Sequence, residues 1–325
     1  MTLYNSGLLQ VSEQHSIYWE ESGNPKGVPV LFLHGGPGVG TNKNQRKFFD
    51  PSFYRIILFD QRGCGKSIPP GGLEENTTWN LVEDINKLLA FLTVEKCLLF
   101  GGSWGSTLAL TYTIKHPEKV LGMILRGILL CQQEELDWFF REGASQLAPE
   151  AWQILLNALP EDNRSDLLNA YHHALHSSNY WERKYAAAAW VLWEFAHLHR
   201  EPDSRVGLLT RHPMLFNLFA LLYAGQNHIQ ASIENHYFLH HAFFPTDRWI
   251  LEHSDQLKAI PTIIIQGECD QICPWRYAAE LHENLPQSTF ILLSETGHAS
   301  NEPKTIKALV EATETFKSKF NSDSH

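Results

Sequence analysis

KCLLFGGSWGSTLALTYTIK, residues 96–115, is the stretch whose reading decides the fold. Cys97 to Phe100 form a continuous apolar run, as expected of a buried parallel strand. Thr107, Leu108, Leu110, Thr111 and Ile114 then recur at helical spacing. Between them, Gly101-Gly102-Ser103-Trp104-Gly105 fits G-x-S-x-G, a sharp strand-to-helix turn that holds a strained serine with its oxygen exposed. The flanking glycines belong where strand and helix pass too closely for a Cβ. The same turn brings the Trp104 backbone N–H to a helix N-terminus, which favours a developing negative charge and would supply half of an oxyanion hole. A glycine-rich structural turn can show the same five residues, so the serine needs partners elsewhere in the chain.

Working outward, Val28–Leu33 is a predicted strand broken by His34-Gly35-Gly36-Pro37-Gly38-Val39-Gly40. In a hydrolase of this type the loop after that strand passes beside the serine. Gly36 is the candidate second oxyanion donor, because a residue without Cβ lets the backbone approach a carbonyl closely. Residues 54–59 predict the next strand, ending in Asp60-Gln61-Arg62-Gly63-Cys64-Gly65-Lys66-Ser67. Gly65-Lys66-Ser67 matches the end of a phosphate-binding loop, but that motif needs glycine where Asp60 stands, and the nucleotide reading fails. Asp60 and Arg62 are expected to pair within or near this loop and hold its shape.

The first 30 residues alternate as an antiparallel hairpin turning near Ser12 to Gln14. Thr77 or Thr78 caps a helix through about Phe91, with Trp79, Val82, Ile85, Leu88 and Leu89 towards the sheet. Residues 120–125 give a further strand, and strand, helix, strand in succession implies a parallel, doubly wound sheet. The following strand, at 262–265, lies far beyond Arg126, more than a crossover needs, and the interval is aromatic, alanine-rich and helical in spacing. The expectation is an α/β-hydrolase fold, a mostly parallel sheet with helices on both faces. Residues 1–126 and 251–325 would form its catalytic domain, and 127–250 a helical cap inserted over the edge where clefts form. A helix over 277–284, a strand at 289–293 and a closing helix over 304–316 complete it.

Composition narrows the functional classes. The 325 residues are 43% hydrophobic and 19% charged, which is globular, with disorder expected only in the serine-containing tail at 317–325. A formal charge of −10 argues against sequence-independent binding to nucleic acid or to an anionic membrane. The N-terminus lacks a basic and apolar leader pattern, and no apolar run approaches a membrane span, so a soluble, cytoplasmic protein is expected. Five cysteines, an odd number, read as reduced thiols, and Cys269-x-x-x-Cys273 lacks the second pair a metal knuckle requires.

Asp270 and His298 each follow a predicted strand, giving the chain order Ser103, Asp270, His298 that this architecture uses. His298 would take the serine proton and return it to the leaving group, and Asp270 would orient the imidazole. In the cap, Ala186, Ala189, Trp190, Trp193 and Glu194 fall on one helix face, and Ile233, Glu234, Tyr237, Phe238 and His241 repeat the pattern. Carboxylates on apolar faces need partners. An internal arginine such as Arg183 or Arg211 would serve, as would a cationic ligand group such as a peptide's free α-amine. His172, His173, His176, His197 and His199 form no metal motif and read as surface or core residues.

Taken together, His34-Gly35-Gly36-Pro37-Gly38, Asp60-Gln61-Arg62-Gly63-x-Gly65-x-Ser67, Asn76-Thr77-Thr78-Trp79, Gly101 to Ser106, Trp193-Glu194, Ile233 to Tyr237 and Gly297-His298 resemble the proline iminopeptidase family of α/β hydrolases. The likeness spans nearly the whole chain. It implies release of an N-terminal proline from small peptides, with Glu194 and Glu234 on the substrate's amino end and aromatic cap residues around the pyrrolidine ring. It also implies no metal or organic cofactor. Cys64 and Cys269 depart from the pattern, and a bulky thiol reagent at Cys269 is expected to lower activity by displacing Asp270. An esterase or amidase of the same fold, or a peptide-binding protein without turnover, are the alternatives. Serine at 103 excludes the dehalogenase and epoxide hydrolase chemistries, which need a carboxylate there.

Overall fold

The computed structural model describes residues 2–201 and 204–322. Eight strands, β1 (Leu3–Gln10), β2 (Ser16–Gly23), β3 (Val28–Leu33), β4 (Tyr54–Phe59), β5 (Cys97–Ser103), β6 (Val120–Ile128), β7 (Thr262–Gly267) and β8 (Thr289–Leu293), form one sheet in the order β1-β2-β4-β3-β5-β6-β7-β8. β1 pairs antiparallel with β2, and β2 with β4; all remaining pairs are parallel. The hairpin predicted at the N-terminus therefore forms the sheet edge, with Ser12 accepting from the Gln14 and His15 backbone at its turn. Buried on both faces, the central strands are near-continuous Val, Ile, Leu and Phe runs, as a parallel sheet demands.

Helices α1 (Thr78–Phe91), α2 (Trp104–Lys115), α12 (Trp275–Asn284) and α13 (Pro303–Ser322) pack against the sheet. Thr77 caps α1 by accepting from the Asn80 N–H. Val82, Ile85, Leu88 and Leu89 are buried as predicted. Trp79 turns instead towards the chain that leaves the helical segment, donating to the Phe243 carbonyl at 2.9 Å and packing edge-on against Trp249. α13 runs through Ser322, so the disorder expected from 317 does not hold for residues 317–322. Lys317 is anchored there to Asp50 at 2.6 Å, and 323–325 lie outside the described residues.

Between β6 and β7 the chain is helical: α3 (Gln133–Phe140), α4 (Ala144–Leu147), α5 (Pro149–Asn157), α6 (Leu167–Leu175), α7 (Tyr180–His197), α8 (Ser204–Arg211), α9 (Pro213–Leu222), α10 (Ala224–Leu239) and α11 (Trp249–Glu252). β6 continues through Gly127 and Ile128 before the chain leaves the sheet. α7, capped by Asn179, packs against α10, α6, α5 and α9. α10 ends at Leu239, so His241 stands in an exposed turn and not on the face of Glu234. Its left-handed backbone, φ 48°, breaks the helical periodicity from which the face was extended.

Candidate active site

Ser103 sits where β5 gives way to α2, at φ 57° and ψ −128°. An L-residue pays about 1–3 kcal/mol to hold a sparsely populated backbone of that kind. The packing around it enforces the turn: a Cβ on Gly101 would lie 2.2 Å from the Gly105 carbonyl oxygen, and one on Gly105 would lie 2.1 Å from that of Leu33. Strand, elbow and helix are thus locked against β3 by two residues that must be glycine.

His298 and Asp270 meet beneath the same region. The His298 Nδ1 is 2.8 Å from Asp270 Oδ2, and both side chains are buried. Asp270 is saturated: Oδ1 accepts from the Ile272 and Cys273 N–H groups at 3.0 and 2.8 Å, and Oδ2 also from Gln266 Nε2 at 3.0 Å. Gln266 in turn accepts from the Ile128 N–H, which ties the acid's loop to the end of β6. With Nδ1–H donated to the carboxylate, Nε2 is the nitrogen left to act as a base. Ser103 and His298 line a common cavity of about 440 Å³, together with Gly36, Glu194, Glu234 and Phe139.

Several residues at this centre escaped the sequence reading. Arg126, half-buried and lining the cavity, donates to the His298 carbonyl, while desolvation pulls its guanidinium below the usual range and Asp270 opposes that. Gln61 connects the loop after β3 to the start of α2. Its N–H donates to His34 Nε2 at 3.0 Å and its Nε2 donates to the His34 carbonyl at 3.0 Å. Its Oε1 accepts from the Trp104 indole at 2.8 Å. Because His34 Nε2 accepts, Nδ1 carries the proton and donates to the Gly35 carbonyl at 2.9 Å. His34 is therefore a neutral ring, as burial also dictates by lowering its pKa. The loop holding Gly36 (φ 109°) is thereby fixed to the helix that begins at Trp104.

Asp60 and Arg62 do not pair with each other. Asp60 clamps the loop by accepting from the Thr41 N–H and hydroxyl at 2.6 and 2.7 Å and from the Lys66 N–H at 2.8 Å. Arg62 grips Asp84 with both Nε and Nη2, at 2.6 and 2.8 Å. Each side chain therefore holds the loop through different partners.

Across the cavity, α7 and α10 bring Glu194 and Glu234 together. Gln230 Nε2 donates to Glu194 at 2.6 Å and to Glu234 at 3.1 Å, and the Trp190 indole donates to Glu234 at 2.7 Å. The i, i+4 spacing of Gln230 and Glu234 on one helix was the signal for this bridge. Neither Arg183, which donates to the Ser177 carbonyl, nor the exposed Arg211 reaches them, and among the described residues neither glutamate forms an ion pair. Burial raises Glu194 to about 7, and burial with the neighbouring Glu194 pushes Glu234 well above the carboxylate range. Phe139, Phe140 and Phe238 supply aromatic wall, and Trp104 packs edge-on against Tyr237 of α10 at 4.6 Å.

A strained serine at a strand-to-helix elbow, with an acid and a histidine after β7 and β8 of a mostly parallel sheet, defines an α/β hydrolase. A family model described as alpha/beta hydrolase fold matches residues 28–305. The chain is 47% identical to a proline iminopeptidase of Arabidopsis thaliana over 316 residues, covering 97% of this chain and 80% of the relative. It is 43% identical to one of Xylella fastidiosa over 318 residues, covering 97% of each. The solved structure of a proline iminopeptidase-related protein from Thermus thermophilus, 24% identical, superimposes with a TM-score of 0.57 over 96% of this chain and 97% of that one, a likeness of fold. The chain belongs to the proline iminopeptidase family.

Proposed function

We propose that this protein is a serine exopeptidase that releases an N-terminal proline from small peptides. The observation that carries this reading is the pair of glutamates, Glu234 buried and Glu194 half-buried, bridged by a neutral Gln230 and facing the cavity of Ser103. Two neighbouring acids largely shielded from water, with no cation between them among the described residues, constitute half of an ion pair, and a protonated α-amine is the complementary half. A ring of phenylalanines beside them suits the apolar, compact pyrrolidine. In this reading residues 127–250 act as the cap over a catalytic domain of 1–126 and 251–325.

With the amine held, the first carbonyl lies at Ser103. Its Oγ attacks while His298 Nε2 takes the proton, and Asp270 stabilises the imidazolium. The N–H groups of Gly36 and Trp104 receive the oxyanion, aided by the N-terminus of α2. His298 then protonates the departing amine, and water admitted to the acyl-enzyme repeats the cycle to free proline. Five free cysteines, four of them buried, favour a reducing compartment, and we place the protein in the cytoplasm on that ground.

Proline-linked chromogenic amides should be cleaved, and acetylating their amine should abolish cleavage. Glu234→Gln should lower kcat/KM on the free-amine substrate by about 100-fold or more, because the ammonium loses a buried counter-charge. Ser103→Ala should remove nearly all turnover and still bind peptide. Equal cleavage of free and acetylated substrates would favour an esterase or amidase of broader specificity. Failure of a fluorophosphonate to label Ser103 would leave only a binding protein.

A further inference from the structure

The hollow above Ser103 does not end at its rim. Val39, Phe195, Leu198, Gln230 and Asn301 line it and also a second, larger one of about 850 Å³ beneath α8 and α9. Leu208, Leu209, Leu215, Leu218 and Phe219 make its walls chiefly aliphatic and aromatic. Although they face this hollow, Leu208 is 49% exposed and Leu218 48% exposed. Accessible apolar surface gathered into one concave patch marks a binding site.

The direction in which substrate lies identifies what reaches it. An amine at Glu194 and Glu234 and a carbonyl at Ser103 fix the polarity of the peptide, so everything after the scissile bond must leave across the rim. Val39 stands three positions after the oxyanion candidate Gly36, and Asn301 three after His298, and both border the two hollows alike. The second hollow thus begins where the leaving group begins. Resting on the function proposed above, we infer that it is a leaving-group subsite which takes large apolar side chains at the second and third residues of the substrate. The preferred substrates are then short apolar peptides headed by proline.

The test compares kcat/KM on prolinamide, whose leaving group is ammonia, with Pro-Gly-Gly and Pro-Leu-Leu. Seating isobutyl groups in an apolar pocket should favour Pro-Leu-Leu over Pro-Gly-Gly by about 10-fold or more. Leu218→Asp on α9 and Leu208→Asp on α8, both at accessible positions, should each remove most of that preference while prolinamide turnover is unchanged. Equal rates on the two tripeptides, or a preference that survives both substitutions, would overturn the assignment. So would loss of prolinamide turnover in both variants, which would make these leucines parts of the fold. A concentration-dependent dimer that Leu218→Asp dissolves, with selectivity intact, would give the patch to a second copy of the chain and overturn it too. A wild-type enzyme inert on prolinamide and on every peptide would sink the exopeptidase reading itself.

Discussion

At Glu194 the proposed recognition of the substrate's amine can be tested on a single side chain. Burial keeps its proton to about pH 7, and its neighbour Glu234 holds one more tenaciously. A substrate ammonium entering between them reverses the balance, since a cation favours the charged carboxylate. Binding should therefore expel protons, and calorimetric heats should scale with the ionisation enthalpy of the buffer at pH 6. kcat/KM on free-amine substrates should rise from pH 6 to about 7.5 as the proton becomes easier to displace, and Glu194→Gln should make this limb shallower. Heats that are independent of buffer would show that no proton leaves.

Among the elements, the loop after β3, the start of α2 and the turn after β4 form one unit through Gln61. Deleting that connector frees the Gly36 loop from Trp104 while leaving Ser103 untouched. Gln61→Leu should lower kcat about 10- to 100-fold with KM little altered, since oxyanion donors act on the transition state and must already be in place. An unaltered kcat would dissociate the network from catalysis.

Much at this scale was legible in advance. β3, β4 and β8 end where their apolar runs end, and α1 starts at the threonine that caps it. Ser103, Asp270 and His298 could be placed because each follows such a run. Periodicity carries no information about pairing between side chains, however. It left open whether an arginine or a ligand answers Glu194, paired Asp60 with the wrong neighbour, and was silent on Gln61, Gln230 and Arg126. A helical count also cannot see a left-handed break, and so it carried the face of α10 onto His241.

Over the whole molecule, two sets of buried groups titrate in opposite senses. His34, His197 and His236 are kept neutral by burial, His236 down to about 4. The unfolded chain protonates them near 6.5, so the stability they give at neutral pH is lost as pH falls from about 6.5 towards 4. Glu135 and Glu194 are raised by burial to about 8 and about 7, and Glu234 is raised as well. Their stabilisation is complete below the unfolded value near 4.5 and is lost as pH rises through the folded ones. Between about 4.5 and 6.5 the sets oppose. Above 6.5 the carboxyls act alone, and the melting temperature of the ligand-free protein should decline from pH 6.5 to 8, less steeply in Glu194→Gln. A Tm that climbs over that interval would contradict these burial effects.

Where α7 ends, the Leu198 carbonyl accepts from the Ala299 N–H at 2.8 Å, and a Cβ on Gly297 would lie 2.7 Å from the Arg200 nitrogen. The helical segment is therefore hinged directly onto the two neighbours of His298. Lifting that end of α7 by more than a hydrogen-bond length would break the bond beside the imidazole, so the end of the helix and the His298 backbone are mechanically coupled. Any displacement that parts the two would therefore also disturb the backbone on which the His298 imidazole stands.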